Sequence, residues 1–186
     1  MSRLRIFSET DGTAPLKTVA EHADIARELD SVGVRFERWE ASTPIAPGAS
    51  QDAVIDAYGA DIERLKKEGG YQAVDVISLA PDHPDRAALR RKFLNEHTHS
   101  EDEVRFFVAG RGLFTLHIGD RVYEVLCEKG DLIGVPDGTR HWFDMSEAPS
   151  FVAIRLFTNT DGWVANFTGS DIAERFPRLQ AEALAA

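Results

Sequence analysis

The feature that most narrows the fold is the rhythm of the chain from about Val104 onward. Short runs rich in aliphatic, aromatic and β-branched residues follow one another: VRFFVAG, LFTLHIGD, RVYEVLCEKGD, LIGVPDG, RHWFD and FVAIRLF. Between and within them stand Gly110, Gly112, Gly119-Asp120, Gly130-Asp131 and Asp137-Gly138, residues that accept the backbone angles of tight turns. Strands at this spacing specify a mainly β fold, a sandwich or a barrel, with Gly110 expected to close a hairpin.

The N-terminal half reads differently. Residues 4–8 and 34–39 are expected as short strands. Between them, residues 18–29 place Val19, Ala23, Ile25, Ala26 and Leu29 on one helical face. Residues 52–67 predict a longer helix, with Val54, Ile55, Tyr58, Ile62 and Leu65 on one stripe and Gly69-Gly70 as its stop. Residues 71–79 read as strand, Pro81 to Pro84 as a turn, and residues 85–93 as a short helix opening after a proline. At 186 residues the chain suits a single domain. Within it, residues 1–93 form a mixed α/β flank, 94–168 a metal-binding barrel core and 169–186 a terminal helix or tail.

Charge and composition remove several classes of partner. A formal net charge of −10 argues against nucleic acid and against an anionic membrane surface, both of which require basic protein. No apolar run approaches the roughly 20 residues that span a bilayer, and MSRLRIFSETDG carries no secretory-type apolar stretch. The expectation is a cytoplasmic protein, monomeric, that acts on a small molecule. Cys127 is the single cysteine, so neither an internal disulfide nor a thiolate metal cluster is available; it reads as a buried bystander.

The residues that carry chemistry begin at Glu96. In extended chain alternate side chains share a face, so His97 and His99 point the same way, and Glu103 keeps that parity if the intervening stretch does not bulge. His141, after the Pro136-Asp137-Gly138 turn, can arrive from a neighbouring strand. Three imidazoles and one carboxylate suit a divalent ion such as Fe(2+) or Ni(2+). An isolated His-x-His is a weak signal; the carboxylate four residues later and the downstream Gly-x5-Pro-x-Gly-x2-His make it a strong one. Arg105 shares the parity of Glu103 and is expected to point inward, the alternative being an outward arginine paired with a nearby acid. The other histidines read as structural: His22 solvated on a helix, His83 in a turn, and His117 satisfied within a β-run. Phe93, Phe143 and Trp163 are candidate walls of a substrate pocket, although aromatics in such a fold are more often core.

The spacing resembles the two motifs of the cupins: His97-x-His99-x3-Glu103-x6-Gly110, then Gly130-x5-Pro136-x-Gly138-x2-His141. Arg91 stands where the first motif usually opens with glycine, and Met145 where the second usually closes with asparagine. Within that superfamily the stretch PDHPDRAALRRKFLNEHTHSEDEVRFFVAGRGLFTLHI, followed by GDLIGVPDGTRHWFDM and AIRLF, is similar to the acireductone dioxygenases of methionine salvage. The likeness is strong over residues 80–168 and loose before them. It implies a cupin-type jelly roll flanked by helices and one Fe(2+) or Ni(2+) per monomer on His97, His99, Glu103 and His141. It further implies oxidation of an acireductone by O2, with Arg105 favouring deprotonation of the enediol. The family links positions matching Glu96 and Asp102 to metal loading and to the relay of local conformational change; as acids flanking a cation site, both could also orient the imidazoles. Two competing functions remain on the same ligands: a metal-dependent cupin isomerase, which needs no O2, and a non-catalytic metal-binding cupin.

Overall fold

The longest strand organises the molecule. In the computed structural model, which describes residues 1–180, residues on both sides of Gly110 belong to one strand, Glu103–Ile118. The hairpin expected at Gly110 is absent. Gly110 instead bends the strand, with φ of +65°, and a Cβ there would lie 1.8 Å from the carbonyl oxygen of Ser150. A left-handed glycine pressed against a neighbouring loop turns the strand without ending it.

That bend lets one strand serve two antiparallel layers. In chain order the strands are β1 (Arg3–Ser8), β2 (Lys17–Val19), β3 (Arg35–Arg38), β4 (Ala73–Leu79), β5 (His97–Thr98), β6 (Glu103–Ile118), β7 (Arg121–Glu128), β8 (Asp131–Val135), β9 (Arg140–Asp144), β10 (Phe151–Phe157) and β11 (Asn166–Phe167). The first half of β6 pairs with β8 and β10, which carry β3 and β4 at the outer edges. Its second half pairs with β7 and β9, and this layer runs β11-β5-β9-β6-β7-β1-β2. The result is the expected mainly β jelly roll, although no pairing among the described residues closes the layers into a ring.

The helices are α1 (His22–Asp30), α2 (Gln51–Ala57), α3 (Gly59–Gly69) and α4 (Arg86–Phe93). Alternation on β6 and β10 explains where they go. Val104, Phe106 and Val108, with Val152, Ile154 and Leu156, face outward onto Val54, Tyr58, Ile62 and Leu65 of the α2–α3 region. Glu103, Arg105 and Phe107 face between the layers by the same parity. With both faces covered, these strands read in sequence as nearly unbroken apolar runs.

Three N-terminal expectations change. The helix expected over residues 18–29 starts only at His22, because Lys17–Val19 pairs with β1 in the register Leu4↔Val19. β-Branched Thr18 and Val19 suit that edge. His22 is half-buried rather than solvated, its ring stacked on Phe36 with centroids 5.0 Å apart. The helix expected over 52–67 is divided at Tyr58 (φ −117°, ψ 21°), whose buried hydroxyl donates to the carbonyl of Thr43 at 2.6 Å. Gly59, a poor helix former, follows it. Of the terminal helix or tail expected over residues 169–186, the described residues form a 3-10 turn, Ile172–Arg175, docked with Phe176 onto Phe7, Val122 and Trp142; residues 181–186 lie outside the described ones. No helix among the described residues is long and apolar enough to cross a membrane.

Candidate metal centre

Pairing of β5 with β9 places His97 directly opposite His141, and His141 in turn lies opposite Leu116 of β6. The turn after Pro136 locks the second motif onto the first, since the Gly138 amide donates to the backbone carbonyl of His99 at 2.9 Å. One ligand atom from each of His97, His99 and His141 lies within 4.8 Å of the others, and all three residues are buried. Glu103 Oε2 is 3.4 Å from His99 Nε2 and 3.7 Å from His141 Nε2. The residues selected by parity and turn chemistry therefore meet at one point.

Their protonation follows from their backbone partners. The Nδ1 of His97 donates to the carbonyl of Asn95 at 2.8 Å, that of His99 to Val164 at 3.0 Å, and that of His141 to Thr139 at 2.8 Å. A carbonyl only accepts, so each neutral ring keeps its proton on Nδ1 and turns the Nε2 lone pair toward the centre. Burial holds His97, His99 and His141 below the ordinary imidazole range, His141 at about 3, with His97 as a further cause there. Burial alone would raise Glu103, but the charge of Arg105, supported by His141, Arg155 and His99, holds it ionised. His141 Nε2 and Glu103 Oε2 are buried with no hydrogen-bond partner among the described residues. Two acceptors left unsatisfied and facing one another are costly, and a cation satisfies both. The donor set thus fits a divalent transition metal.

Arg105 points inward as parity required. Its Nη2 and Nε donate to Glu103 Oε1 at 2.6 and 3.1 Å, and its guanidinium lies between the rings of Phe114 and Phe143, 4.8 and 4.6 Å from their centroids. Glu103 is thereby divided: Oε1 faces the arginine, Oε2 the histidines.

A cavity of about 370 Å³ opens over His97 and His99. Phe93, Trp163 and Phe167 supply an apolar side, Arg155 a cationic one. Phe93 and Trp163, two of the candidate pocket walls, line this cavity. Phe143 does not; it is buried beneath Arg105 and packs on Phe107, Phe114 and Phe151. Alternation put it on the inner face, but the depth of that face was not legible.

A model of the ARD/ARD' family matches residues 3–165. The chain belongs to that family. Among curated relatives, the acireductone dioxygenase of Stenotrophomonas maltophilia (strain R551-3) is 65% identical over 178 residues, covering 96% of each chain. That of Pseudomonas aeruginosa (strain UCBPP-PA14) is 65% identical over 180 residues, covering 97% of this chain and 99% of its own. Among solved structures, an acireductone dioxygenase from Bacillus anthracis with a cadmium ion in its active centre superposes with a TM-score of 0.79 at 31% identity, over 90% of this chain and 98% of that one. Membership in the ARD/ARD' family makes the chain an enzyme of the dioxygenase class.

Two auxiliary acids of this ARD-family chain sit elsewhere than on the imidazoles. Backbone carbonyls orient all three rings. Buried Glu96 accepts from His117 Nδ1 at 2.7 Å and from Thr168 Oγ1 at 2.8 Å. His117, bonded on its other side to Glu9 at 3.0 Å, is the satisfied structural histidine expected. Asp102 is exposed and accepts from the Asp137 amide at 2.9 Å, bracing the Pro136–Gly138 turn. His83 takes its expected turn role, its Nδ1 accepting from the Asp85 amide at 3.2 Å. Cys127 is fully buried, and burial pushes its thiol well up, which leaves it unreactive. The residue that sequence reading missed is Arg155, a lone charge inside the apolar run FVAIRLF, opposite Asp75 in the equally apolar AVDVISL. A charge inside each of two otherwise largely apolar strand sequences was the available signal.

Proposed function

We propose that the chain oxidises the acireductone 1,2-dihydroxy-3-keto-5-methylthiopentene with O2, using one Fe(2+) or Ni(2+) held by His97, His99, Glu103 and His141. The products are 4-methylthio-2-oxobutanoate and formate in the Fe form, and 3-(methylthio)propanoate, formate and carbon monoxide in the Ni form, which places the enzyme in methionine salvage. The observation that carries this reading is the convergence of three imidazole lone pairs and an unpartnered carboxylate oxygen below a cavity with one polar and one apolar side. Relatives named acireductone dioxygenase, at 65% identity over nearly the whole chain, support the substrate.

When bound, the ion supplies Lewis acidity and a template for the two oxygens of an enediolate. The chain supplies the rest. Preset Nδ1 protons keep the lone pairs aimed before any ligand arrives, which lowers the cost of organising the site. Arg105 keeps Glu103 ionised and adds positive charge behind it, favouring the deprotonated enediol in a buried site where charge is weakly screened. Phe93, Trp163 and Phe167 offer an apolar wall to the thioether tail.

The test is oxygen uptake with the acireductone by protein reconstituted separately with Fe(2+) and Ni(2+), with carbon monoxide measured in the headspace. Oxygen consumption by both forms and carbon monoxide from the nickel form alone is the expected result. Metal-loaded protein that consumes no oxygen would overturn the reading.

A further inference from the structure

We propose that Arg155, pinned by Asp75, is the residue that receives the anionic end of the bound molecule, and that Arg105 is a positioning residue acting through Glu103. This rests on the substrate reading above, because it concerns how an enediolate is held in that site.

The two arginines face each other across adjacent strands, Arg155↔Arg105, with Asp75 the next partner along, Arg155↔Asp75. Similar positions hide different environments. Arg105 is 4% exposed, two of its nitrogens are occupied by Glu103, its faces are covered by Phe114 and Phe143, and its Nη1 is buried. It does not line the cavity. A bound molecule would have to displace Glu103 or an aromatic ring to touch it.

Arg155 is placed to make that contact. It shares the cavity wall with His97 and His99, and its side chain keeps 15% exposure. Its Nε and Nη2 donate to the two oxygens of Asp75 at 2.9 and 2.5 Å, which fixes the plane of the guanidinium. The Nη1 has no hydrogen bond among the described residues and, unlike that of Arg105, is not shut away from solvent. A fork held on one edge and open on another donates to an oxyanion without first losing rotamer entropy. Lys92 is the other cation on the wall, but it is exposed and so strongly screened. Asp75 also borders the cavity and partly offsets the charge of Arg155, so recognition here depends on a directed hydrogen bond more than on net potential.

The experiment uses the metal-loaded enzyme and squarate, a planar, redox-inert dianion with vicinal oxygens, titrated by calorimetry. Arg155→Gln is expected to weaken squarate binding roughly tenfold to a hundredfold, and to raise KM more than it lowers kcat, at unchanged metal content. Arg155→Lys should recover part of the loss, restoring the charge without the fork. Because Arg155→Gln strands Asp75, a second protein carrying both Asp75→Asn and Arg155→Gln keeps an uncharged pair across the strands and is expected to show the same loss. Parent-like squarate affinity in either metal-loaded variant overturns the assignment. An unmodified enzyme that binds squarate through Arg155 yet consumes no oxygen would refute the substrate reading and leave only an anion contact at Arg155; active enzyme with an indifferent Arg155 would keep the substrate reading and overturn this assignment.

Discussion

At the level of single residues, the site is a problem in where lone pairs point. Each imidazole of the centre is held by a backbone carbonyl, so ring orientation survives changes in nearby acids and depends on the ligand itself. Replacing His97, His99 or His141 with Ala is expected to lower metal affinity at least tenfold and abolish turnover together, read by elemental analysis and oxygen uptake. A triple variant that keeps metal and full activity would contradict the centre. Arg105→Ala keeps the three imidazoles and still takes up metal, but more weakly, and turnover near neutral pH is expected to fall on the order of a hundredfold. Cys127→Ser tests the opposite case. The thiol is fully buried in the apolar core and donates to the carbonyl of Val125 at 3.8 Å. A hydroxyl there costs about 1–3 kcal/mol in thermal melts while kcat and KM stay unchanged.

At the level of elements, Gly110 decides whether one strand can belong to two layers. Its φ of +65° and the Ser150 carbonyl, 1.8 Å from where a Cβ would stand, exclude any side chain without movement. Gly110→Ala is expected to cost at least 2 kcal/mol, measured by denaturant unfolding, and to disturb β10, whose register shifts between Val152 and Ala153 beside this bend. Because β6 carries Glu103 and Arg105 on one side of the bend and Leu116, the partner of His141, on the other, metal affinity should fall with stability. The 3.6-residue and two-residue periodicities located nearly every element. They missed the edge strand at Lys17–Val19, the break at Tyr58 and the continuity through Gly110, since each is settled by a partner distant in sequence.

For the whole molecule, burying a cluster of neutral histidines with an ionised carboxylate makes the metal-free fold sensitive to acid. His141 titrates near 3 when folded and near its ordinary value of about 6.5 when unfolded. Between those values the unfolded chain binds a proton that the native chain refuses, so stability falls as pH falls. Glu103 acts in the same direction, its folded pKa being depressed: the stability it contributes is present above about 4.5 and lost as pH drops. Metal-free protein is therefore expected to lose roughly 2–3 kcal/mol through His141 alone between pH 7 and 4.5. Bound metal should blunt that loss, because the ion takes the lone pairs that protons would need. Melting curves against pH, with and without metal, measure both.

The sequence by itself determined the mainly β character, through local periodicity, and the family, through resemblance, and it named the residues of the candidate centre. Alternation aligned His97, His99 and Glu103, and a Pro-x-Gly turn delivered His141. Tertiary structure alone decided the depth at which each inward side chain ends. Arg105 and Arg155 obey the same alternation, yet packing from Phe114 and Phe143 seals one inside the protein and leaves the other at the cavity. Burial is a property of what covers a residue, and what covers it comes from strands far away in the chain.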